Sequence, residues 1–358
     1  MKHTDLPGRD RERERDRERE RPRPGRRTRR TAAALVTGIA LVVASQGGAG
    51  ADGAHRQPRA APAPPAAPAA PAATDCGDPK LSLRPPASVP ALGSWPQDSK
   101  MAAIVRRGYL IAGVDQSTYP FGYLDPVDAT LKGFDVDMLR EVAKAIFGDA
   151  KPNRIRFRVL RNADRVPAVE DGVVDIVAMT MTVNCERRER VDFSDIYFTA
   201  GQRALVQKDP ELPQRVRDQG LPGLGGYRVC AVNGSTSLTR IKDPQYQAIP
   251  VEGETWADCL VKLQKGETDA ISTDDTILAG LQAQDSKFTE VVGNRISEEP
   301  YGMAINKEDP EFVRFVNAVL ADVKRSGRWT ELYRAHIGTS LNETNPRPPA
   351  VTTWRTES

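Results

Sequence analysis

Short apolar runs alternate along this chain with longer segments in which apolar residues recur at helical spacing. The apolar runs predict strands at 109–114, 155–160, 176–178, 227–232 and 269–272. The helical spacing predicts helices at 101–107, 139–146, 255–265, 310–326 and 329–336. Strands and helices that alternate at these lengths predict an α/β fold with mostly parallel sheets flanked by helices.

Two extended segments, 198–207 and 299–305, interrupt this alternation. They bracket a stretch that repeats the strand–helix pattern, so we expect one domain inserted into another, with the two extended segments as crossings. The predicted bounds are an N-terminal extension at 76–104, lobe 1 at 105–203 with its return at 300–338, lobe 2 at 204–299, and a flexible tail at 339–358.

The net charge of +3 is misleading, because residues 1–31 alone hold 13 Lys/Arg and 7 Asp/Glu. The remaining chain has 38 basic and 41 acidic side chains, which argues against a nucleic-acid partner. The three histidines are scattered, and neither a zinc spacing nor a phosphate-binding loop of the GxxxxGK[ST] type occurs. We therefore expect no metal and no cofactor.

The N-terminal region has the features of an export signal. Arginine alternates with Asp or Glu over 9–20, and an apolar run, Ala32–Ala44, has the length of a secretory h-region. Small residues at Ala49 and Ala51 favour cleavage after Ala51, which makes 1–51 a signal peptide with a long charged n-region. An uncleaved N-terminal anchor is the alternative. Residues 52–75 form a Pro/Ala-rich linker.

The four cysteines allow three disulfide pairings, and export makes disulfides plausible. Cys230–Cys259 is favoured because both residues fall in the predicted lobe 2. Cys76–Cys185 would then tie the N-terminal extension to the loop beside Arg187. Four buried free thiols are the alternative.

The stretch 175–197 carries the clearest candidate chemistry. A buried strand leads to Thr180 and Thr182, and Arg187 follows as a helical segment begins. Hydroxyl donors followed by a planar two-donor guanidinium suit a carboxylate, although Arg187 could equally be one solvated charge among several. Tyr119 and Phe121, just past the first strand, could form the wall of a pocket.

The segment GFDVDMLREVAKAI (133–146) resembles the signature of the family 3 extracytoplasmic solute-binding proteins. Four more motifs follow in the order of that family: TMTVNCER, VDFSDIY, NGSTS and STDDTILAG. The chain is especially similar to actinobacterial glutamate/aspartate-binding members. The resemblance implies a two-lobe, type II periplasmic-binding-protein fold, an exported monomer rather than an enzyme, and delivery of a polar amino acid to an ABC-transporter permease.

The resemblance also implies a role for each candidate residue. Arg187, Thr180, Thr182, Ser235 and Thr236 would bind the α-carboxylate of the ligand. Asp274 and the carbonyl of Ala178 would hold the α-ammonium group, while Tyr119 and Phe121 would contact the carbon chain.

Arg165 falls where acidic-amino-acid binders of this family place an arginine for the side-chain carboxylate, although it could be a solvated first-turn residue. Asp115 stands where some of these binders have a basic residue. It could favour glutamine or a cationic ligand, or pair with Arg165. We expect glutamate or aspartate as ligand, with glutamine next. A module that senses the ligand and signals to a membrane partner, or a dehydratase-type enzyme on the same scaffold, are the rivals.

Overall fold

A computed structural model describes residues 76–341, 343, 345–350 and 354–355 of the chain. The predicted signal peptide and the predicted linker therefore lie outside the described residues. Within the described part, no helix is both long enough and apolar enough to cross a lipid bilayer.

The first segment of lobe 1 follows a short N-terminal strand, β1 (Ser82–Leu83). Its elements are α1 (Lys100–Arg107), β2 (Leu110–Val114), β3 (Ser117–Thr118), β4 (Gly122–Leu124), β5 (Leu131–Lys132), α2 (Phe134–Phe147), β6 (Ile155–Val159), α3 (Arg165–Glu170), β7 (Ile176–Val177), α4 (Cys185–Arg188) and β8 (Val191–Phe193). Short 3₁₀ turns precede β6 and α3, at Pro152–Arg154 and Asn162–Asp164.

The chain leaves lobe 1 through β9 (Phe198–Ala200) and builds lobe 2. The elements of lobe 2 are β10 (Gln202–Gln207), α5 (Gln214–Gln219), β11 (Arg228–Val232), α6 (Thr236–Ile241), β12 (Ile249–Gly253), α7 (Trp256–Gln264), β13 (Ala270–Asp274), α8 (Asp275–Gln284) and β14 (Thr289–Val292). Two 3₁₀ turns lie at Leu221–Gly223 and Pro244–Tyr246.

The return to lobe 1 passes through β15 (Glu299–Tyr301). The remaining elements are β16 (Ala304–Asn306), α9 (Pro310–Arg325), α10 (Arg328–His336), α11 (Gly338–Leu341) and β17 (Trp354–Arg355).

The two lobes contain five-stranded sheets with the same topology. Lobe 1 has the order β6-β2-β7-β16-β8, and lobe 2 has the order β12-β11-β13-β10-β14. In each sheet the first three strands are parallel, and the fourth strand is antiparallel to both of its neighbours. The parallel strands are the ones that alternate with helices in sequence, as the sequence pattern predicts.

The two crossings lie side by side. Strands β9 and β15 pair antiparallel, with Ala200 opposite Glu299 and Phe198 opposite Tyr301. The two extended segments of the sequence analysis therefore meet in one two-stranded ribbon between the lobes.

Each lobe has its own apolar core. In lobe 1, α2 buries Phe134, Val136 and Leu139 against the sheet and the C-terminal helices α9 and α10. Helix α2 begins directly after Gly133, whose φ is 128° and where a Cβ atom would lie 2.1 Å from the Phe121 carbonyl oxygen. Only glycine fits there, which explains the glycine at the start of the signature segment.

Each lobe takes part in one disulfide. Cys76–Cys185 joins the N-terminal extension to α4, and Cys230–Cys259 joins β11 to α7 within lobe 2. Among the described residues no cysteine is free.

The N-terminal extension and the C-terminal segment meet on lobe 1. Strand β17, from the segment predicted as a flexible tail, pairs in parallel with β1 of the N-terminal extension. Arg355 also forms an ion pair with the buried Asp192. These tertiary contacts order a segment whose Pro/Thr-rich composition predicts no structure of its own.

Candidate functional site

A small cavity lies between the lobes, where loops after the parallel strands of both sheets meet. We call it the interlobe cavity. Ligands of open α/β sheets bind at this edge, outside the carboxyl ends of the strands. Its lining residues are Asn162, Arg165, Thr180, Thr182, Arg187, Ser235, Thr236, Ser237, Trp256, Thr273, Asp274 and Ile277.

Arg187 reaches this cavity from α4. The side chain of Asn184 caps the helix by accepting from the Arg187 backbone N–H at 2.9 Å. The guanidinium donates from Nη1 to the Thr182 carbonyl at 2.6 Å and from Nη2 to the Gly234 carbonyl at 3.1 Å. Arg187 is therefore held between the lobes in a half-buried position.

Arg165, at the start of α3, is 2% exposed. Its Nε donates to the Asn162 carbonyl at 2.9 Å, its Nη1 to the Met179 carbonyl at 3.0 Å and its Nη2 to the Gly234 carbonyl at 3.0 Å. Among the described residues, no carboxylate forms an ion pair with Arg165. Since a guanidinium has five N–H groups, two remain available after these three bonds.

Gly234 of lobe 2 thus accepts from both arginines of lobe 1. Its φ is 75°, and a Cβ atom there would lie 2.6 Å from the Cα atom and 2.7 Å from the backbone nitrogen of Ala163. The lack of a side chain allows lobe 2 to approach lobe 1 closely enough for these two interlobe hydrogen bonds.

Thr180 and Thr182 lie on the loop after β7. Thr180 has a φ of 42°, and its backbone N–H donates to Asp135 Oδ2 at 2.8 Å. Asp135 also accepts from the Tyr197 hydroxyl at 2.7 Å. A buried carboxylate of α2 therefore holds the loop in a conformation that is unfavourable for threonine.

Asp274 ends β13 and is 4% exposed. Its Oδ2 accepts from the Tyr301 hydroxyl at 2.5 Å. Its Oδ1 has no hydrogen-bond partner among the described residues. A buried acceptor without a partner is rare in proteins and can indicate a ligand-binding function.

Two hydroxyls that the resemblance assigns to the ligand are engaged by Glu299, a carboxylate on the crossing strand β15. Its Oε2 accepts from Thr182 at 2.8 Å and from Thr236 at 3.1 Å. Its Oε1 accepts from Ser297 at 2.6 Å and from Arg240 at 3.1 Å. Glu299 therefore joins lobe 1, lobe 2 and the crossing. Because their protons point to Glu299, the hydroxyls of Thr182 and Thr236 face the cavity as acceptors.

Ser235 caps α6. Its hydroxyl accepts from the Leu238 N–H at 3.1 Å and donates to the Val232 carbonyl at 2.6 Å. The hydroxyl proton of Ser235 is therefore already donated to an acceptor within lobe 2.

Four predicted site residues lie outside the lining of the interlobe cavity. Asp115 is buried, and its two oxygens accept from the backbone and hydroxyl of Ser117 and from the hydroxyl of Thr118. It holds a turn and forms no ion pair with Arg165. Ala178 and Phe121 are fully buried in the lobe 1 core, and the Tyr119 ring packs edge-on against Tyr123.

Sequence reasoning missed Trp256 and Glu299. Trp256 is the first residue of α7, the helix after β12, the same position in the fold as Arg165 at the start of α3. The helix predicted at 255–265 includes Trp256, but no strand is predicted directly before it. Glu299 has no such signal, because its role depends on side chains that are 59 to 117 residues away in sequence.

Burial dominates the electrostatics of the site. It lowers the pKa of Arg165 to about 9, and the nearby Arg187 acts in the same direction. Burial also lowers the pKa of Arg187. It raises the pKa of Asp274 to about 8, with a further contribution from the negative charge of Glu299. At neutral pH both arginines stay charged, so the cavity carries two desolvated cations.

Comparison with known proteins places these residues in a family. Residues 110–339 match the family model of the bacterial extracellular solute-binding proteins, family 3. The ABC transporter glutamine-binding protein GlnH of Bacillus subtilis is 35% identical over 238 residues, which cover 66% of this chain and 84% of the relative. The glutamate-binding protein GluB of Corynebacterium glutamicum is 29% identical over 243 residues, covering 66% of this chain and 81% of the relative.

Solved structures agree on the fold. An ancestral arginine-binding protein bound to arginine has a TM-score of 0.59 and 30% identity, covering 65% of this chain and 99% of that structure. The crystal structure of a mutant of ArgBP from T. maritima has a TM-score of 0.60 and 27% identity, covering 66% and 98% of the two chains. The predicted two-lobe, type II fold is confirmed.

Proposed function

The chain belongs to the bacterial extracellular solute-binding proteins of family 3, and we propose that it binds glutamate or aspartate between its lobes, with glutamine next in affinity. The family and the named relatives are binding proteins, not enzymes, and family 3 proteins are extracytoplasmic.

The observation that carries this proposal is a pair of guanidiniums on one cavity, with Arg165 buried and Arg187 half-buried. Arg165 and Arg187 both line it, and among the described residues neither forms an ion pair with a carboxylate. Each donates to backbone carbonyls and keeps further N–H groups. Bidentate contact with a carboxylate is the interaction that a guanidinium favours most.

Charge complementarity supports an acidic ligand. Glutamate and aspartate carry two carboxylates and one ammonium group, which would match two arginines and the free oxygen of Asp274. Glutamine would leave one guanidinium without a counter-charge. A buried charge without a partner is costly, so the neutral ligand should bind more weakly.

The relatives support a ligand of this class. The glutamine-binding and glutamate-binding relatives are similar to this chain over nearly the same length. The side chains of glutamine and glutamate both end in an oxygen that accepts hydrogen bonds. The charged guanidinium of Arg165, with two N–H groups still available, favours the side-chain carboxylate of glutamate over the side-chain amide of glutamine.

Lobe closure would be the binding event. Both arginines of lobe 1 donate to Gly234 of lobe 2, and Glu299 joins the two lobes through Thr182 and Thr236. A ligand that contacts both lobes stabilises the closed form by its differential affinity. The Bacillus subtilis relative is an ABC transporter glutamine-binding protein, so we propose a permease as the partner that accepts the closed form.

Isothermal titration calorimetry with glutamate, aspartate and glutamine tests the proposal. Arg187→Ala should weaken all three ligands by about 2–5 kcal/mol, because it leaves the shared α-carboxylate unpaired. Arg165→Gln should weaken glutamate and aspartate far more than glutamine, since it removes the charge that faces the side chain.

A matched control comes from an exposed arginine on the segment of Arg187. Arg190→Gln removes a side chain that is half exposed and pairs with Glu170 of the same lobe, so it should leave the three affinities unchanged. Equal losses for glutamate and glutamine in Arg165→Gln would contradict the specificity assignment. Unchanged binding in Arg187→Ala would contradict the site.

A further inference from the structure

Trp256 lines the interlobe cavity and carries a buried hydrogen-bond donor. The residue is 2% exposed, and its indole Nε1 has no hydrogen-bond partner among the described residues. Buried tryptophan N–H groups usually find an acceptor. Trp256 and Asp274 hold the only two buried side-chain atoms without a partner in the described part of the chain, and both residues line the same cavity.

The indole is held firmly in place. Thr255 caps α7 by accepting from the Asp258 N–H at 3.1 Å, which fixes the start of the helix. One turn further on, the Cys230–Cys259 disulfide joins α7 to β11. Trp256 itself belongs to the apolar core of lobe 2. A donor fixed in this way is preorganised to meet a ligand.

Its position distinguishes it from Arg187. A wider groove opens beside the cavity and is lined by Arg187, Thr182 and Thr236, but not by Arg165 or Trp256. Helix α7 instead lies against β3 of lobe 1, next to the turn of Asp115, whose charge also acts on Arg165. Arg165 and Trp256 therefore line only the cavity, on a side that we call its inner end, while Arg187 lines both the cavity and the groove.

The chemistry of the two unpartnered atoms constrains the ligand. An indole N–H can only donate, so it needs an acceptor, whereas the Asp274 carboxylate oxygen needs a donor. An amino acid whose ammonium group meets Asp274 and whose α-carboxylate meets Arg187 leaves its side chain for the inner end. A side chain that ends in an ammonium or guanidinium offers Trp256 no acceptor.

We propose that Trp256 is a specificity-determining residue, whose Nε1–H donates to the terminal oxygen of the ligand's side chain beside Arg165. This inference rests on the proposed function and narrows it. The ligand must end in a carboxylate or amide oxygen, and cationic amino acids of similar length are rejected by lobe 2 as well as by Arg165.

The test compares glutamate with 2-aminopentanoate, which keeps the carbon chain of glutamate and lacks its side-chain oxygens. Trp256→Phe should weaken glutamate on the order of ten- to one-hundred-fold in calorimetry, the range for a lost hydrogen bond to a charged group, and should leave 2-aminopentanoate nearly unchanged. Trp329→Phe is the matched control, because it removes an indole that donates to Tyr197 within lobe 1 at 2.8 Å. The ratio of the two affinities should stay at the parent value in that variant.

Nuclear magnetic resonance of the parent protein provides a second measurement that needs no folded Trp256 variant. The chain has four tryptophans, and their indole N–H signals can be assigned by replacing Trp95, Trp329 and Trp354 in turn. Glutamate should move the remaining signal, that of Trp256, downfield, and 2-aminopentanoate should not.

Three results are distinguishable. A glutamate-selective loss and downfield shift support the inference. Equal effects on the two ligands overturn it while leaving glutamate binding intact. A parent protein that binds neither glutamate, aspartate nor glutamine overturns the proposed function and this inference together, and the parent titration alone reveals it.

Discussion

The two lobes share one sheet topology, yet they bring different chemistry to the cavity between them, guanidiniums from lobe 1 and a carboxyl group from lobe 2. Lobe 1 contributes Arg165 and Arg187, and lobe 2 contributes Asp274. All three residues lie at or after the carboxyl ends of parallel strands, so the repeated architecture sets where functional residues lie. The loop sequences decide their chemistry. A zwitterion with an acidic side chain requires both lobes, which explains why binding would couple to closure.

A second contrast concerns two buried acids. Asp115 follows β2 in lobe 1, and Asp274 ends β13 in lobe 2. Three donors from its own turn satisfy Asp115, whereas Asp274 keeps one oxygen without a partner among the described residues. The two acids are alike in their burial and in their position at a strand end. Their hydrogen-bond partners distinguish Asp115, whose oxygens are satisfied, from Asp274, which we propose as the ligand-binding acid.

The largest expected effect comes from exchanging these two acids for their amides. Asp274→Asn should weaken glutamate binding by about 2–5 kcal/mol, because it removes the charge that faces the ammonium group. Asp115→Asn should lower the melting temperature instead, since an amide places an N–H group among the donors of the turn. Calorimetry and thermal unfolding measured on both variants check the contrast.

The opposite pattern, with binding lost in Asp115→Asn and retained in Asp274→Asn, would reverse the roles assigned to the two acids.

A substitution at Gly280 tests the effect of lobe closure on binding without changing any charged residue of the site. This residue lies inside α8 of lobe 2, and a Cβ atom there would lie 1.7 Å from the Tyr119 carbonyl oxygen of lobe 1. Gly280→Ala should stabilise the helix by roughly 0.5–1 kcal/mol and still oppose closure. We expect glutamate affinity to fall about tenfold or more, a smaller loss than in Asp274→Asn. Calorimetry, together with small-angle scattering of the glutamate-saturated protein, measures both consequences.

Gly225→Ala is the control, because its Cβ atom would make only ordinary contacts of 3.5 Å or more. A Gly280→Ala protein that binds and compacts like the parent would show that the lobes meet differently in the bound form.

Strand and helix periodicity predicts the elements of both lobes well, because apolar faces must be buried wherever the chain folds. It also indicates Arg187 as a candidate, although these residues alone do not separate a ligand-binding role from a solvated charge. It could not predict that Glu299 would take the hydroxyl protons of Thr182 and Thr236, because that contact joins three separate segments. The burial of Arg165 and its hydrogen bonds to three backbone carbonyls could not be predicted either, because backbone acceptors leave no signal in the sequence.

A further expected effect is a pH dependence of stability to which both lobes contribute. Burial raises the pKa of Asp135 in lobe 1 to about 7 and that of Asp274 in lobe 2 to about 8. In the unfolded chain both carboxyls ionise near pH 4. Between about pH 5 and 8 the folded protein therefore binds more protons than the unfolded chain, so its free energy of unfolding should fall as pH rises.

The variant Asp274→Asn separates the contributions of the two lobes to this pH dependence. The variant keeps only the contribution of Asp135, so in urea unfolding its stability should stop falling about one pH unit earlier than that of the parent. An identical pH profile for parent and variant would mean that Asp274 is already ionised in the ligand-free protein. Its carboxylate would then need no ammonium group to favour the charged form, and the contrast between the two lobes would rest on Arg165 and Arg187 alone.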